Sequence, residues 1–317
     1  MEQILQKLDN KSLVKSREVS RIWQTFIDQI NYPWVRIVKI PTILNRGNTY
    51  LHLAAKHGQI DMFEVILNGE ADKNLVNDFG YTPFFVACRY GQMRIAELIM
   101  KKSTDLKSDL SRKDIGGETV LHKACSSGNS DSNSVLVEML MKISKKLKIE
   151  INILNNANHI ALHLASNHGH AETAKVLMEE STTLKFDLNV QNKQGYTAFH
   201  FACQSGSTDI VRIMLDQSES TKLDFSLKTM RGDTGFHLAC QFEQANIVEL
   251  LIEKSKSLKL DLKSKNKWGA TGFQLVSDQN IIDLIKSKMP SLAQKRRKHR
   301  KDTARNFGVP GQNGIWT

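Results

Sequence analysis

The sequence predicts an all-α solenoid of about seven consecutive helix pairs. One motif recurs along the chain, from NTYLHLAAKHG through YTPFFVACRYG and YTAFHFACQSG to the degraded ATGFQLVSDQN. An amphipathic segment such as MRIAELIMK or ANIVELLIE follows each copy, and a polar stretch such as NVQNKQG precedes the next. Because so small a unit cannot bury its apolar face alone, each unit must pack on its neighbours.

The first helix of each unit is expected to begin after a Thr, and this position recurs every 33 to 41 residues. In several units a Gly follows the first helix, where a residue free to adopt positive φ allows the chain to reverse. Extra residues fall in STTLKFDL, SESTKLDF and SKSLKLDL, which predicts a longer second helix or a longer connection. The marker positions are Thr49, Thr82, Thr119, Ile160, Thr197, Thr234 and Thr271, and the glycines are Gly58, Gly91, Gly128, Gly169 and Gly206.

The pattern G-x-T-x-L-H-x-A-x-x-G at this period resembles the ankyrin repeat over residues 45–288. The resemblance implies a non-catalytic protein-binding array, in which the hairpin tips and the exposed side of the first helices form a concave groove. The fourth unit departs from the pattern, with Asn158 and Ile160 in place of the Gly and Thr. The last unit carries Gln274 in place of the His, and terminal repeats are often atypical because one face meets solvent.

Five histidines recur in the motif, and three of them form H-x-x-C pairs that invite a zinc interpretation. We favour a structural role, because other units hold Ala55 or Ser166 at the cysteine position and zinc requires clustered ligands. By the resemblance, this His hydrogen-bonds neighbouring turns. We therefore expect no metal and no cofactor, and buried free cysteines suit a reducing compartment. The residues are His52, His122, His163, His200 and His237, with Cys125, Cys203 and Cys240.

The sequence does not indicate an enzyme. It contains neither a Gly-rich phosphate-binding loop before a Lys-Ser/Thr pair nor a nucleophile-elbow motif, so we expect no catalytic residues. No stretch has the apolar length of a signal peptide or a membrane span. We therefore expect an intracellular protein, in the cytoplasm and with the nucleus as a second location.

The positions that line an ankyrin groove can be mapped unit by unit, and exposed aromatic residues and Arg are the best candidates for contacts to a protein partner. The second unit has the densest set, and we expect Phe79, Tyr81, Arg89 and Tyr90 to form the main anchor. The alternative is that some of these aromatic residues only hold one unit to the next. The other candidates are Lys56, His57, His159, Asn167, His168, Tyr196, Gln204, Arg231, Gln241, Phe242 and Trp268.

Residues 1–41 are expected to form a separate small helical module. The spacing I-x-x-x-L-D-x-K-x-L, followed by V-S-R-x-W, resembles the F-box, which docks on the Skp adaptor of cullin-type ubiquitin ligases. The usual Leu-Pro-x-Glu opening of that module is absent. The resemblance implies that Leu8, Leu13, Val19 and Trp23 supply apolar surface to the module and the adaptor, while the repeats select a substrate. The alternative is a plain ankyrin scaffold whose N-terminal helices only cap the first repeat.

Residues 289–317 form a basic tail without apolar periodicity, which we expect to be disordered. Its run KRRKHRK includes a candidate nuclear-import signal, Lys295, Arg296, Arg297 and Lys298. The chain carries a net charge of +11, of which the short segment 295–305 supplies seven basic residues against one Asp. The repeats are therefore only weakly basic, and nucleic-acid binding ranks below a ubiquitin-ligase receptor and a plain scaffold.

Overall fold

The computed structural model describes residues 45–68, 72–127, 130–184 and 187–290. The F-box-like segment with its candidate adaptor contacts, Leu8, Leu13, Val19 and Trp23, lies outside the described residues. So does the basic run from Lys295 to Lys298. Predictions for both segments therefore stay predictions.

The described chain consists of seven helix pairs, which are the seven predicted units. The first helices are α1 (Tyr50–His57), α3 (Pro83–Arg89), α6 (Val120–Ser126), α8 (Ala161–His168), α10 (Ala198–Ser205), α13 (Gly235–Gln241) and α15 (Gly272–Leu275). The second helices are α2 (Ile60–Asn68), α4 (Met93–Lys102), α7 (Ser130–Leu147), α9 (Ala171–Leu184), α11 (Thr208–Asp216), α14 (Ala245–Lys254) and α16 (Gln279–Lys288). Two short helices follow second helices, α5 (Leu106–Ser111) and α12 (Ser218–Thr221).

The helices form two layers, because first helices pack on neighbouring first helices and second helices on neighbouring second helices. The alanine of the L-H-x-A motif is completely buried in six successive repeats. Because its side chain is small, it lets adjacent first helices approach closely. Larger apolar side chains such as Phe63, Phe85 and Met178 fill the space between the layers. The buried alanines are Ala54, Ala87, Ala124, Ala165, Ala202 and Ala239.

Each pair of repeats is joined by a polar hairpin that its own side chains hold in shape. In the second hairpin, Asn77 Oδ1 accepts hydrogen bonds from the backbone N–H groups of Phe79 and Tyr81, both at 3.0 Å. Neighbouring hairpins are linked through the backbone, as where Met230 N–H donates to the Gln194 carbonyl at 2.9 Å. The hairpin tips therefore form a continuous row along one edge of the stack.

The extra residues of the longer repeats lengthen second helices and their connections, as predicted. Helices α7 and α9 have 18 and 14 residues, whereas α2 and α11 have 9. The described ranges contain an isolated β-bridge between Lys265 and Thr271 but no extended β-strand. No helix of those ranges combines the length and the apolar character needed to cross a bilayer.

Candidate protein-binding groove

The predicted groove surface consists of the hairpin tips and the C-terminal ends of the first helices, and all fifteen predicted groove residues fall in the described chain. About half of them are exposed to solvent: Lys56, His57, Arg89, Tyr90, Asn167, His168, Arg231 and Trp268. The others are half-buried: Phe79, Tyr81, His159, Tyr196, Gln204, Gln241 and Phe242. The mapping from the motif thus selected surface positions and avoided the buried core.

At the first two repeats, cations lie over aromatic rings. The Arg46 guanidinium lies 5.7 Å from the ring centroid of Phe79, and the Lys56 ammonium lies 5.5 Å from that of Tyr90. These pairs, together with Tyr81 and Arg89, form what we call the cation–π cluster: Arg46, Lys56, Phe79, Tyr81, Arg89 and Tyr90.

Tyr81 links two other members of the cation–π cluster, Phe79 and Arg89, to the buried core. Its ring stacks on Phe79 at a centroid distance of 5.6 Å and on the buried Phe85 at 6.1 Å. The Arg89 guanidinium lies 5.6 Å from the Tyr81 ring centroid and donates from Nη1 to the Tyr81 hydroxyl at 2.9 Å. Within the predicted anchor, Phe79, Tyr81 and Arg89 therefore contact one another and Tyr90 pairs with Lys56, and the function of this group as a binding site is a proposal.

A buried ionic network supports Tyr81 from the third repeat. The Lys123 ammonium donates to the Tyr81 hydroxyl at 3.1 Å, lies 4.6 Å from its ring centroid, and pairs with Asp114 Oδ2 at 2.9 Å. It also forms a short ion pair with Glu118, which accepts from Asn155 Nδ2 at 3.2 Å. The Lys123 and Asp114 side chains are only 8% and 2% exposed, so these charges balance one another inside the protein.

The network keeps Lys123 and Glu118 charged despite their burial. Burial by itself lowers the pKa of Lys123, but the charge of Glu118 and hydrogen bonds to Glu118, Tyr81 and Asp114 outweigh it and raise the pKa. Burial likewise works to raise the pKa of Glu118, while the charge and hydrogen bond of Lys123 bring it below its ordinary value. We therefore treat Lys123 as an ammonium and Glu118 as a carboxylate at neutral pH.

Four of the five recurring histidines, His52, His122, His163 and His237, link their repeat to the next through backbone atoms. In the first repeat, the Thr49 N–H donates to His52 Nδ1 at 3.1 Å, and His52 Nε2 bonds the Tyr81 carbonyl at 2.7 Å. Because Nδ1 accepts from a backbone N–H, the proton must lie on Nε2, which donates to the carbonyl. His122, His163 and His237 repeat the arrangement, with carbonyl distances of 3.1 Å to His159, Tyr196 and Ala270.

This arrangement accounts for His52, His122, His163 and His237 without a metal. Both ring nitrogens of these four residues have backbone partners, so neither has a lone pair left for a ligand bond. Burial lowers the pKa of His163 to about 3 and that of His200 to about 4, which keeps the rings neutral. The described residues contain no group of three or more His, Cys, Asp or Glu side chains suited to an ion.

Farther along the groove, two of the predicted contact residues mainly pack within the fold. His159 lies against His163 and Phe201 with centroid distances of 5.4 Å each, and its Nε2 accepts from Asn192 Nδ2 at 2.9 Å. Tyr196 contacts Phe201 at 5.3 Å. These contacts favour the alternative considered above, that some aromatic residues hold one repeat to the next.

Two residues of the site escaped the prediction from sequence. Arg46 occupies in the first repeat the hairpin position that Phe79 occupies in the second, directly before the Gly47-Asn48-Thr49 pattern, so the motif marked its position as well. Lys123 had a visible signal, because it is the one charged residue in a column of the motif that is otherwise apolar. The other members of that column are Leu53, Val86, Leu164, Phe201, Leu238 and Leu275.

Comparison with known families agrees with this geometry. The family model described as ankyrin repeats (3 copies) matches residues 36–109, 51–146, 106–185, 135–224 and 182–266. These matches cover most of the chain, which therefore belongs to the ankyrin-repeat family. Repeats of this family are protein-interaction modules.

Individual relatives match only parts of the sequence. NF-kappa-B inhibitor alpha of Mus musculus is 33% identical over 128 residues, 39% of each chain. A Caenorhabditis elegans homolog of transient receptor potential cation channel subfamily A member 1 is 35% identical over 83 residues, 26% of this chain and 6% of the relative. The chain thus spans less than half the length of these relatives.

Solved structures resemble the chain over a longer stretch. The human ASB11 ankyrin repeat domain aligns with a TM-score of 0.63 at 19% identity, covering 76% of this chain and 98% of that one. The ankyrin repeat domain of Bcl-3, a member of the IkappaB family, aligns with a TM-score of 0.57 at 19% identity, covering 76% and 99%. At this identity the likeness shows the fold alone.

Proposed function

We propose that this protein is an ankyrin adaptor that binds a protein partner in its concave groove, with the cation–π cluster as the main contact. The observation that carries the proposal is the grouping of three partly exposed aromatic rings with three exposed cations on adjacent repeats. Aromatic residues and Arg dominate the binding energy of protein interfaces. The NF-kappa-B inhibitor relatives support an adaptor without chemistry of its own.

The test compares partner capture by the intact protein and by a double variant, Phe79→Ala with Tyr90→Ala. Val135→Ala is the matched control, since Val135 is also an exposed apolar side chain but lies on the second helix α7. Affinity capture with mass spectrometry should show proteins that the wild type and the control retain and the double variant loses. Equal capture by all three proteins, with unchanged thermal unfolding, would rule out this anchor.

A finer function, substrate receptor of a cullin-type ubiquitin ligase, rests on the F-box resemblance of residues 1–41. In that function the groove would hold a substrate, and Leu8, Leu13, Val19 and Trp23 would contact the Skp adaptor. The plain adaptor is the better supported of the two, because the relatives give no link to a ligase. A pull-down with purified Skp adaptor decides between the two functions. A ligase receptor should retain the adaptor and lose it in the Leu8→Ala, Leu13→Ala variant, whereas a plain adaptor protein should not retain it.

The location of the protein in the cell is a separate proposal. We propose that it is cytoplasmic and that the tail residues Lys295, Arg296, Arg297 and Lys298 direct a fraction to the nucleus. Replacing these four residues with Ala should reduce the nuclear fraction of a fluorescently tagged protein. An unchanged distribution would contradict the proposed import signal, and the proposal for the groove would be unaffected.

A further inference from the structure

The exposed charges of the groove are predominantly positive. We count three kinds of position as groove residues. They are the two residues at the tip of each hairpin, the residue before each marker Thr (or before Ile160 in the fourth repeat), and the last two residues of each first helix together with the C-cap residue. Within the described chain, these positions carry one exposed carboxylate, Asp78. They carry six exposed cations: Arg46, Lys56, Arg89, Lys193, Arg231 and Lys267.

These six cations also lack carboxylate partners, at least among the described residues, where none of them forms an ion pair within 4.0 Å. The outer surface formed by the second helices is different. There Lys142 pairs with Glu138 at 2.6 Å and Lys254 with Asp216 at 2.8 Å. On the described second helices, five lysines pair with carboxylates, namely Lys142, Lys145, Lys254, Lys286 and Lys288, whereas none of the six groove cations does.

The aromatic rings arrange this charge without neutralising it. A cation over a ring face gains attraction from the ring quadrupole and keeps its full charge. The Arg89 guanidinium uses Nη1 for the Tyr81 hydroxyl, and a guanidinium has five N–H donors in a planar fork that suits a carboxylate. Arg89 is thus held in place with donors left for a second acceptor.

We infer that the groove of the first three repeats binds an acidic segment of a protein partner. Carboxylates of that segment pair with Arg46, Lys56 and Arg89, and its apolar side chains pack on Phe79 and Tyr90. The inference rests on the proposed adaptor function and adds the chemistry of the partner. Charge complementarity of this kind sets the specificity and the association rate of an interface.

A nucleic acid would also bring negative charge, but the rings fit it less well. Base stacking on aromatic side chains needs an open ring face. The Tyr81 ring is stacked by Phe79 and Phe85 and is approached by Arg89 and Lys123, so its faces are already occupied. The observations therefore favour a polypeptide.

The experiment selects random peptides displayed on phage against the full chain and keeps those whose binding is lost in the Phe79→Ala, Tyr90→Ala variant. The inference expects the retained peptides to be enriched in Asp and Glu over the starting library. Retained peptides that are neutral or basic would overturn it and leave the adaptor proposal standing. Failure to retain any groove-dependent peptide would count against the adaptor proposal and the inference together.

Charge reversal then tests the residues. Arg46→Glu, Lys56→Glu and Arg89→Glu together should weaken the best retained peptide by about tenfold or more in fluorescence anisotropy, with a weaker effect at high salt. The control makes the same change in net charge on outer helices, by Arg94→Glu, Lys101→Glu and Lys175→Glu, and should leave affinity within about twofold. Equal loss in both variants would overturn the inference. Tight binding of a labelled single-stranded oligonucleotide, lost in the groove variant alone, would assign the charge to nucleic acid instead.

Discussion

Replacing Lys123 with Leu tests whether the buried network holds the third repeat to the second. Leu is the residue in the same column of the first, fourth, sixth and seventh repeats, so its size suits the position. The change leaves the Asp114 carboxylate, 2% exposed, without a cation. Removing one partner of a buried ion pair costs about 3–5 kcal/mol, and Asp114 Oδ1 still accepts from the Glu118 N–H at 2.8 Å. We therefore expect a loss at the lower end, about 3 kcal/mol.

Urea unfolding followed by circular dichroism measures the effect. The triple variant Lys123→Leu, Asp114→Asn, Glu118→Gln should recover to within about 1 kcal/mol of wild type, because replacing a whole buried ion network with uncharged groups is often neutral. Asn is also the residue at the equivalent hairpin position of four other repeats. Lys142→Leu is the control, since that ion pair is exposed, and its unfolding midpoint should not move. A single variant as stable as wild type, or a triple variant that fails to recover, would refute the reasoning.

Three further predictions concern the repeats themselves. The native pKa of His163, about 3, lies below its unfolded value of 6.5. The contribution of neutral His163 to the free energy of unfolding is therefore fully present above pH 6.5 and is lost as the pH drops towards 3. The loss between pH 7 and 5 is about 2 kcal/mol. In urea unfolding, the His163→Gln variant should lose about 2 kcal/mol less free energy of unfolding than wild type between pH 7 and 5. The same pH dependence in both proteins would contradict the lowered pKa of His163. Gly195→Ala should lower thermal stability more than Gly269→Ala, because both have positive φ but a Cβ at 195 would lie 2.8 Å from Met230 N and one at 269 meets nothing within 4 Å; equal losses would count against the close approach. The four cysteines are buried and burial raises their thiol pKa values, so a thiol reagent should react with them only in denaturant, and rapid labelling of the native protein would show that they are accessible.

The repeat architecture was predictable because it depends on local, periodic features. The glycine positions are an example: Gly58 and Gly206 have φ of 68° and 82°, as expected for residues that end a first helix and reverse the chain. The longer second helices followed from extra residues in fixed places. Each feature recurs in several repeats, so an irregular repeat such as the fourth, with Ile160 at the Thr position, did not obscure it.

The site was only partly predictable, because its contacts join residues that are far apart in the sequence. Motif positions alone identified Tyr81 and Arg89 as surface residues. They did not show that Lys123, 42 residues after Tyr81, reaches its hydroxyl, or that Asn155 joins the same network from the following hairpin. A lone charged residue in an apolar column indicates an internal partner, but the partner itself depends on how the repeats stack.

The fourth and fifth repeats use their aromatic residues differently from the first two, and this difference favours a partner at the first two repeats. In the fourth and fifth repeats, His159 and Tyr196 pack around Phe201, so their area is already committed to joining repeats. In the second repeat, Tyr90 remains 39% exposed, and the Tyr81 hydroxyl accepts a hydrogen bond from the buried Lys123 ammonium. A side chain that is ordered before binding loses less conformational entropy on association. Under the proposed function, the network inside the third repeat therefore contributes to recognition indirectly, by fixing the orientation of the Tyr81 ring in the cation–π cluster.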